Sequence, residues 1–218
     1  MAYKYLLFDL DGTIVDSGSG VLTSVKYALD RCDRDIPDNS VLRKFIGPPL
    51  DYSFENFIGM DKSESVNAVA FYREYYKEKG IFDCIVYDGI RELLEDAKNS
   101  GYVTIVATSK PEVFAKRIIE HFGLAELFDL VVGASFDDSR KNKDQVIAYA
   151  LDCIKADDVA SEVIMIGDRL HDIEGAHVHS MKCIAVLYGY GSEEEFREYN
   201  ADFIVKLPED IMPLLRSL

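Results

Sequence analysis

The sequence predicts an α/β fold: a parallel sheet covered by helices, with a helical segment inserted near its start. Three observations carry this expectation. Short apolar runs alternate with amphipathic helical segments along most of the chain, the pattern of strands joined by helical crossovers. Residues 17–80 contain no convincing strand and read as helices alone. Two of the strand runs end in aspartates, which places carboxylates where open α/β sheets bind ligands.

Tyr5-Leu6-Leu7-Phe8 is short and fully apolar, as befits a central parallel strand. Similar runs recur at 103–107, 130–132, 163–166 and 183–187, and 203–205 adds an edge strand. Helices are expected between them. Residues 89–100 place Ile90, Leu93, Leu94 and Ala97 at helical spacing, with Asp88 as N-cap and Gly101 as the glycine beyond the C-cap. Pro111 suits the first turn of a helix that runs to Phe122 and stops at Gly123. Residues 143–154 align Val146, Ile147, Ala150, Leu151 and Ile154 on one face. Each crossover should be right-handed. In the strandless stretch, 21–29, 41–45 and 66–79 read as helices. The expected division is a core of 1–16 and 82–218 with a helical domain of 17–81. Gly18-Ser19-Gly20 and the stretch from Lys79-Gly80 to Gly89 supply the hinges.

Composition narrows the function classes. Of 218 residues, 24 are Lys or Arg and 39 are Asp or Glu, so the formal net charge is −15. Such a surface repels phosphate backbones, and no nucleic-acid partner is expected. The one dense basic run, Arg140-Lys141-Asn142-Lys143, is too short for a binding stripe. No apolar run approaches the ~18 residues of a membrane span, so no membrane association is expected. Met1-Ala2-Tyr3-Lys4-Tyr5 lacks the long apolar stretch of a secretion signal, and a cytoplasmic location is the expectation. Cys32, Cys84, Cys153 and Cys183 form no C-x-x-C pair and read as free thiols. The chain is expected to work as a monomer or homodimer.

An acidic protein that binds an anion must concentrate positive charge at one spot. The first strand runs directly into Asp9-Leu10-Asp11-Gly12-Thr13. Asp-Gly is a common turn pair, but a turn does not explain Asp9, a charge placed directly after four apolar residues. The run 163–166 leads into Gly167-Asp168-Arg169-Leu170-His171-Asp172. If the two strands are neighbours, Asp9, Asp11 and Asp168 converge with Asp172 behind them. Packed carboxylates repel, and a hard divalent cation removes that repulsion. Mg²⁺ fits, because it takes oxygen ligands and keeps waters for a phosphate substrate. Thr108-Ser109-Lys110-Pro111 follows another strand run and offers a hydroxyl and backbone N–H groups to phosphate oxygens, although a plain helix cap would look the same. Lys143 opens a helix against its dipole, a placement that makes sense if it faces an anion or carboxylates. His177 and His179 fall on opposite sides of a helix, which disfavours a histidine metal site. Arg169 and His171 lie close to the acidic pair, where tuning or simple capping both fit. The aromatic run Phe71-Tyr72-Arg73-Glu74-Tyr75-Tyr76 reads as core of the helical domain.

In order along the chain, these residues resemble the haloacid dehalogenase-like (HAD) hydrolase superfamily. Asp9-Leu10-Asp11-Gly12-Thr13 matches its first motif, Thr108 its second, Lys143 its third, and Gly167-Asp168 with Asp172 its fourth. The resemblance spans nearly the whole chain. Phe45-Ile46-Gly47-Pro48-Pro49-Leu50 and Thr108-Ser109-Lys110-Pro111 look most like the phosphoglycolate-phosphatase-like branch. Two departures stand out. Ser109 stands where that branch often has Asn, and the third motif lacks its frequent Lys-Pro-x-Pro form, which leaves Lys141 as a rival to Lys143. The resemblance implies a Rossmannoid core with an inserted C1 cap over 17–81. It implies that Asp9 attacks phosphorus, that Asp11 serves as acid and then base, and that Thr108 and Lys143 neutralise phosphoryl oxygens. It also implies that Asp9, the Asp11 carbonyl and Asp168 hold Mg²⁺, with Asp172 orienting the shell. Thr13, Ser109, Lys44 and Gly47, with Arg43, are the expected substrate contacts. The implied activity is a phosphomonoesterase on a small phosphorylated metabolite such as phosphoglycolate. A 5′-nucleotidase or a phosphosugar mutase on the same scaffold is the alternative.

Overall fold

The computed structural model describes residues 3–137, 139–155 and 160–218. Six strands form one parallel sheet: β1 (Tyr5–Phe8), β4 (Val103–Pro111), β5 (Leu130–Ala134), β6 (Val163–Gly167), β7 (Lys182–Val186) and β8 (Phe203–Val205). Their order across the sheet is β5-β4-β1-β6-β7-β8. The chain therefore builds outward from β1 on one side, then crosses back to build outward on the other. The reversal beside β1 opens a crevice at the carboxyl ends of β4, β1 and β6, the usual ligand position in such sheets. Two two-residue strands, β2 (Val15–Asp16) and β3 (Ile85–Val86), form a separate small sheet.

The chain divides into two compact units, residues 16–85 and the remainder. The first contains α1 (Gly18–Arg31), α2 (Asn39–Leu42), α3 (Leu50–Ile58) and α4 (Lys62–Glu78). Helix α4 starts at a capping box: the Asp61 carboxylate accepts from the Ser63 and Glu64 N–H groups, and Glu64 accepts from the Asp61 N–H. Helix α3 was not anticipated. Its signal is Leu50, Phe54 and Phe57 at helical spacing, with Gly59 in the left-handed region (φ 76°) ending it.

The larger unit contains α5 (Ile90–Asn99), α6 (Glu112–His121), α7 (Lys143–Ile154), α8 (Leu170–Val178), α9 (Glu193–Glu198) and α10 (Ile211–Ser217). Helices α7 and α8 pack together, and their apolar stripes meet Leu7, Ile105, Val132, Met165 and Cys183 of the sheet in one buried cluster. Helix α5 is capped by Gly89 rather than Asp88: Gly89 takes φ 86°, so the chain enters the helix through the glycine. Strand β4 also departs from expectation. It runs on to Pro111 through a register irregularity, and the helix begins at Glu112. A residue before proline is pushed into extended conformation, which carries Lys110 along the strand. Among the described residues, no helix is long and apolar enough to cross a membrane.

Candidate active site

Two of the three strands at the crevice, β1 and β6, deliver the acidic residues. Asp9 follows β1, and its N–H donates to the Ile166 carbonyl of β6 (2.9 Å), which ties the two strand ends together. Asp168 follows β6 directly, and Asp172 lies in the first turn of α8. Asp9, Asp168 and Asp172 are all buried, and one carboxylate oxygen from each lies within 4.8 Å of the others.

Helix α7 supplies the counter-charge. Lys143 is its first residue and shares the buried stripe of Val146, Ile147, Ala150 and Leu151. The register that buries those side chains aims the lysine at the end of the sheet. Its Nζ lies 2.7 Å from Asp9 Oδ1 and 2.8 Å from Asp172 Oδ1, and donates to the Ala107 carbonyl at 3.0 Å. Burial alone would lower the lysine's pKa, but Asp172 and Asp9 outweigh it and hold the ammonium charged above the ordinary lysine range. The carboxylates are strained the other way. Burial pushes Asp9 up to about 6, with Lys143 opposing and Asp172 and Asp11 adding to the rise. Burial, then Asp172 and Asp9, also raise Asp168 well above the carboxylate range.

Were all three carboxylates ionised, as cation binding requires, the single ammonium would leave two negative charges uncompensated. The donors are all hard carboxylate oxygens gathered within 4.8 Å of one another, the ligand chemistry that a small divalent cation takes. The residues fit a small divalent cation.

Backbone and glycines shape the cluster. Asp168 Oδ2 accepts from the Tyr190 N–H at 2.8 Å, and Tyr188 donates its hydroxyl to the Thr13 carbonyl at 3.0 Å. Gly12 has φ 84°, and a Cβ there would stand 2.0 Å from Asp168 Oδ2. The close approach of turn and carboxylate therefore requires glycine. Gly12→Ala is expected to cost about 1–2 kcal/mol from φ alone. It should also cut activity by about 10²-fold, because a displacement near 1 Å is enough for that. Thermal melting and turnover of the variant check both.

The haloacid dehalogenase-like hydrolase model matches residues 6–186. The chain belongs to that family. It is 42% identical to a 5′-nucleotidase of Pseudomonas aeruginosa over 200 residues, which cover 91% of this chain and 89% of that one. It is 37% identical to the tyrosine-protein kinase PtkA of Mycobacterium tuberculosis (strain ATCC 25618 / H37Rv) over 93% of this chain but 66% of the kinase. A crystal structure of a predicted phosphatase from Clostridium acetobutylicum superposes with a TM-score of 0.93 at 43% identity, covering 100% of both chains. More distant relatives at 26–28% identity are named phosphoglycolate phosphatase and pyrophosphatase PpaX.

Against this HAD hydrolase frame, the sequence-derived residues divide. Asp9, Lys143, Asp168 and Asp172 meet in one cluster. Lys141, the rival to Lys143, is exposed, and its N–H donates to Gln145. Thr13, expected among the substrate contacts, is fully buried, and its hydroxyl donates to Asp168 Oδ1 at 3.4 Å. Thr108 is buried on β4, and its hydroxyl accepts from the Lys110 N–H at 3.2 Å. Ser109 is exposed. Both sit within the strand rather than at a strand-to-helix junction, for the reason given above. Lys44 and Gly47 belong to the 16–85 unit. Lys44 is exposed over the Phe57 ring at 5.8 Å, and Gly47 has φ 108°. Arg169 is bonded to Glu195 at 3.0 Å. Asp11 stands apart from the trio, its carboxylate held by Lys110 at 2.6 Å on both oxygens. The role of Lys110 was missed. A lysine two residues from Thr108 on an extended strand shares its face, but only if the strand is known to continue past Ala107.

Proposed function

We propose that this protein is a Mg²⁺-dependent phosphomonoesterase that acts on a small phosphorylated metabolite through an aspartyl phosphate. Membership of the family, with phosphatase-named homologues, makes it a hydrolase acting on phosphate esters. The observation that carries the finer reading is the meeting of Asp9 with Lys143, Asp168 and Asp172 at adjoining strand ends.

In this reading an Asp9 oxygen attacks phosphorus and the bond to the leaving oxygen breaks. Asp11 gives that oxygen its proton, so the leaving group departs as an alcohol. Water then attacks phosphorus, Asp11 takes its proton, and inorganic phosphate leaves with Asp9 restored. The Lys143 ammonium and the Thr108 hydroxyl compensate charge on the phosphoryl oxygens. Asp9 and Asp168 would hold the cation, with the Asp11 carbonyl as the family resemblance implies, and Asp172 would orient the shell while fixing Lys143. The bound cation supplies charge neutralisation to the carboxylates and the phosphoryl group. The resemblance implies a cap role for the helical insertion over 17–81, which in this reading would exclude water and select the leaving group.

Nucleoside monophosphates lead as substrates, because the relative named 5′-nucleotidase is 42% identical whereas the phosphoglycolate phosphatase of Colwellia psychrerythraea is 26% identical. The test is phosphate release from nucleoside monophosphates, phosphoglycolate and pyrophosphate, with Mg²⁺ or with EDTA. We expect Mg²⁺-dependent release, fastest from a nucleotide, and a loss of at least ~10²-fold in EDTA that added Mg²⁺ reverses. Unchanged release in EDTA refutes the metal role. Transfer from ATP to a protein tyrosine with no release from any ester would favour the activity named for PtkA.

A further inference from the structure

We infer that Lys110 is a positioning residue for Asp11, and that the reaction depends on it in proportion to how badly the leaving group needs a proton. The inference rests on the phosphomonoesterase reading and adds a residue to it. The Lys110 Nζ lies 2.6 Å from both Asp11 oxygens. The lysine side chain is 8% exposed and the aspartate 25%, so the ammonium sits inward and the carboxylate stands nearer solvent. Lys110 is fixed from its own backbone, since its N–H donates to the Thr108 hydroxyl. Pro111 beyond it keeps the strand extended. Asp11 lies in a turn, directly before Gly12 at φ 84°. Its side chain therefore has one rigid neighbour holding both oxygens, and that neighbour comes from a different strand.

Pairing on both oxygens restricts the rotation of the Asp11 side chain, which leaves less freedom to lose when a leaving oxygen arrives and keeps the proton aimed at that oxygen. In the first step the Asp9–phosphorus bond forms, the phosphorus–oxygen bond breaks, and the Asp11 proton goes to the departing oxygen. Lys110 gains or loses no proton. A leaving group that is stable as an anion needs little from Asp11, and hence little from Lys110.

The experiment compares kcat/KM for an alkyl phosphate, the best nucleotide or sugar phosphate found, with that for p-nitrophenyl phosphate. This ratio reports only the steps up to leaving-group departure, so slow hydrolysis of the aspartyl phosphate does not blur it. Lys110→Met is expected to lower kcat/KM for the alkyl phosphate about 10²-fold. For p-nitrophenyl phosphate the expected fall is less than about 5-fold. Lys110→Arg should recover most of the alkyl activity. In an Asp11→Asn background, Lys110→Met should cost little more on the alkyl substrate, as expected of two residues acting as one unit. Equal losses on both substrates would place Lys110 against the phosphoryl group instead and overturn the inference. So would no loss on either, or a full additional loss in the Asp11→Asn background. A parent that releases no phosphate from any ester would instead overturn the phosphomonoesterase reading, which separates the two failures. The p-nitrophenyl arm and the melting temperature report any variant that fails to fold.

Discussion

Asp9→Asn is expected to abolish turnover while leaving the protein at least as stable as the parent in metal-free buffer at pH 7. The first half follows from chemistry: an amide does not attack phosphorus as a carboxylate does, and a fall of more than about 10³-fold is expected. The second half follows from burial. Asp9 is held at about 6 in the folded chain, against an ordinary value of 3.8, chiefly because burial disfavours its charge. A group whose folded value is raised adds stability below the unfolded value and loses it as the pH climbs through the folded one. The contribution of Asp9 is thus present below about pH 4 and gone above about pH 6. At pH 7 the ionised carboxylate costs the fold on the order of 3 kcal/mol, taking ~1.4 kcal/mol per pH unit. Asparagine fills the same space without the charge. Lys143 keeps Asp172 at 2.8 Å and the Ala107 carbonyl at 3.0 Å, so the substitution does not strand it. Melting in EDTA at about pH 3.5, below both values, and at pH 7 checks the sign. The two proteins should match at the lower pH, and the variant should equal or exceed the parent at the higher one. A variant that melts several degrees below the parent at pH 7 would show that Asp9 is a structural anion, and the nucleophile assignment would lose its physical basis.

The sheet and the acidic cluster were legible in the sequence because both follow from short-range patterns. A fully apolar tetrapeptide ending in a charge at Asp9 reads as a buried strand with a purpose at its end. Lys143 was legible through its register, three residues before Val146 and four before Ile147. What could not be read depended on other strands. Lys110 matters because β4 continues beyond Ala107 and lies beside β1, which brings residue 110 to residue 11. No periodicity within either segment reports that. Thr13 looked free to meet substrate because nothing local reveals that its hydroxyl faces Asp168, 155 residues away. Helix α3 escaped for another reason: the Gly47-Pro48-Pro49 turn directly before it carried a loop signal that masked the helical spacing of Leu50, Phe54 and Phe57.

Lys143→Met is expected to behave in the opposite way to Asp9→Asn on stability and alike on turnover. Lys143 is the ammonium between Asp9 and Asp172, with its side chain 5% exposed. Removing one partner of a buried ion pair leaves an uncompensated charge and costs about 3–5 kcal/mol. Methionine keeps most of the side-chain volume beside Gly175, whose missing Cβ would lie 2.9 Å from the lysine Cγ. The loss is therefore electrostatic rather than a cavity. Its pH signature follows from the signs. The folded lysine stays charged above the ordinary value of 10.5, so its contribution is present at every pH below that and is lost only as the pH rises past the folded value. In the variant, the freed carboxylates take up protons as the pH falls, so the deficit relative to the parent should shrink toward pH 4. Two further arms separate charge from shape. Millimolar Mg²⁺ should raise the variant's melting temperature by more than the parent's, since a cation substitutes for part of the missing charge. Asp9→Asn should also partly rescue Lys143→Met in EDTA, because it removes one of the two anions left unpaired. Turnover of Lys143→Met, alone or combined with Asp9→Asn, should stand more than about 10³-fold below the parent's. If Mg²⁺ and Asp9→Asn both fail to recover stability, Lys143 is holding α7 against the sheet end by packing. The net negative charge reserved for a divalent cation would then not be the organising feature of the site.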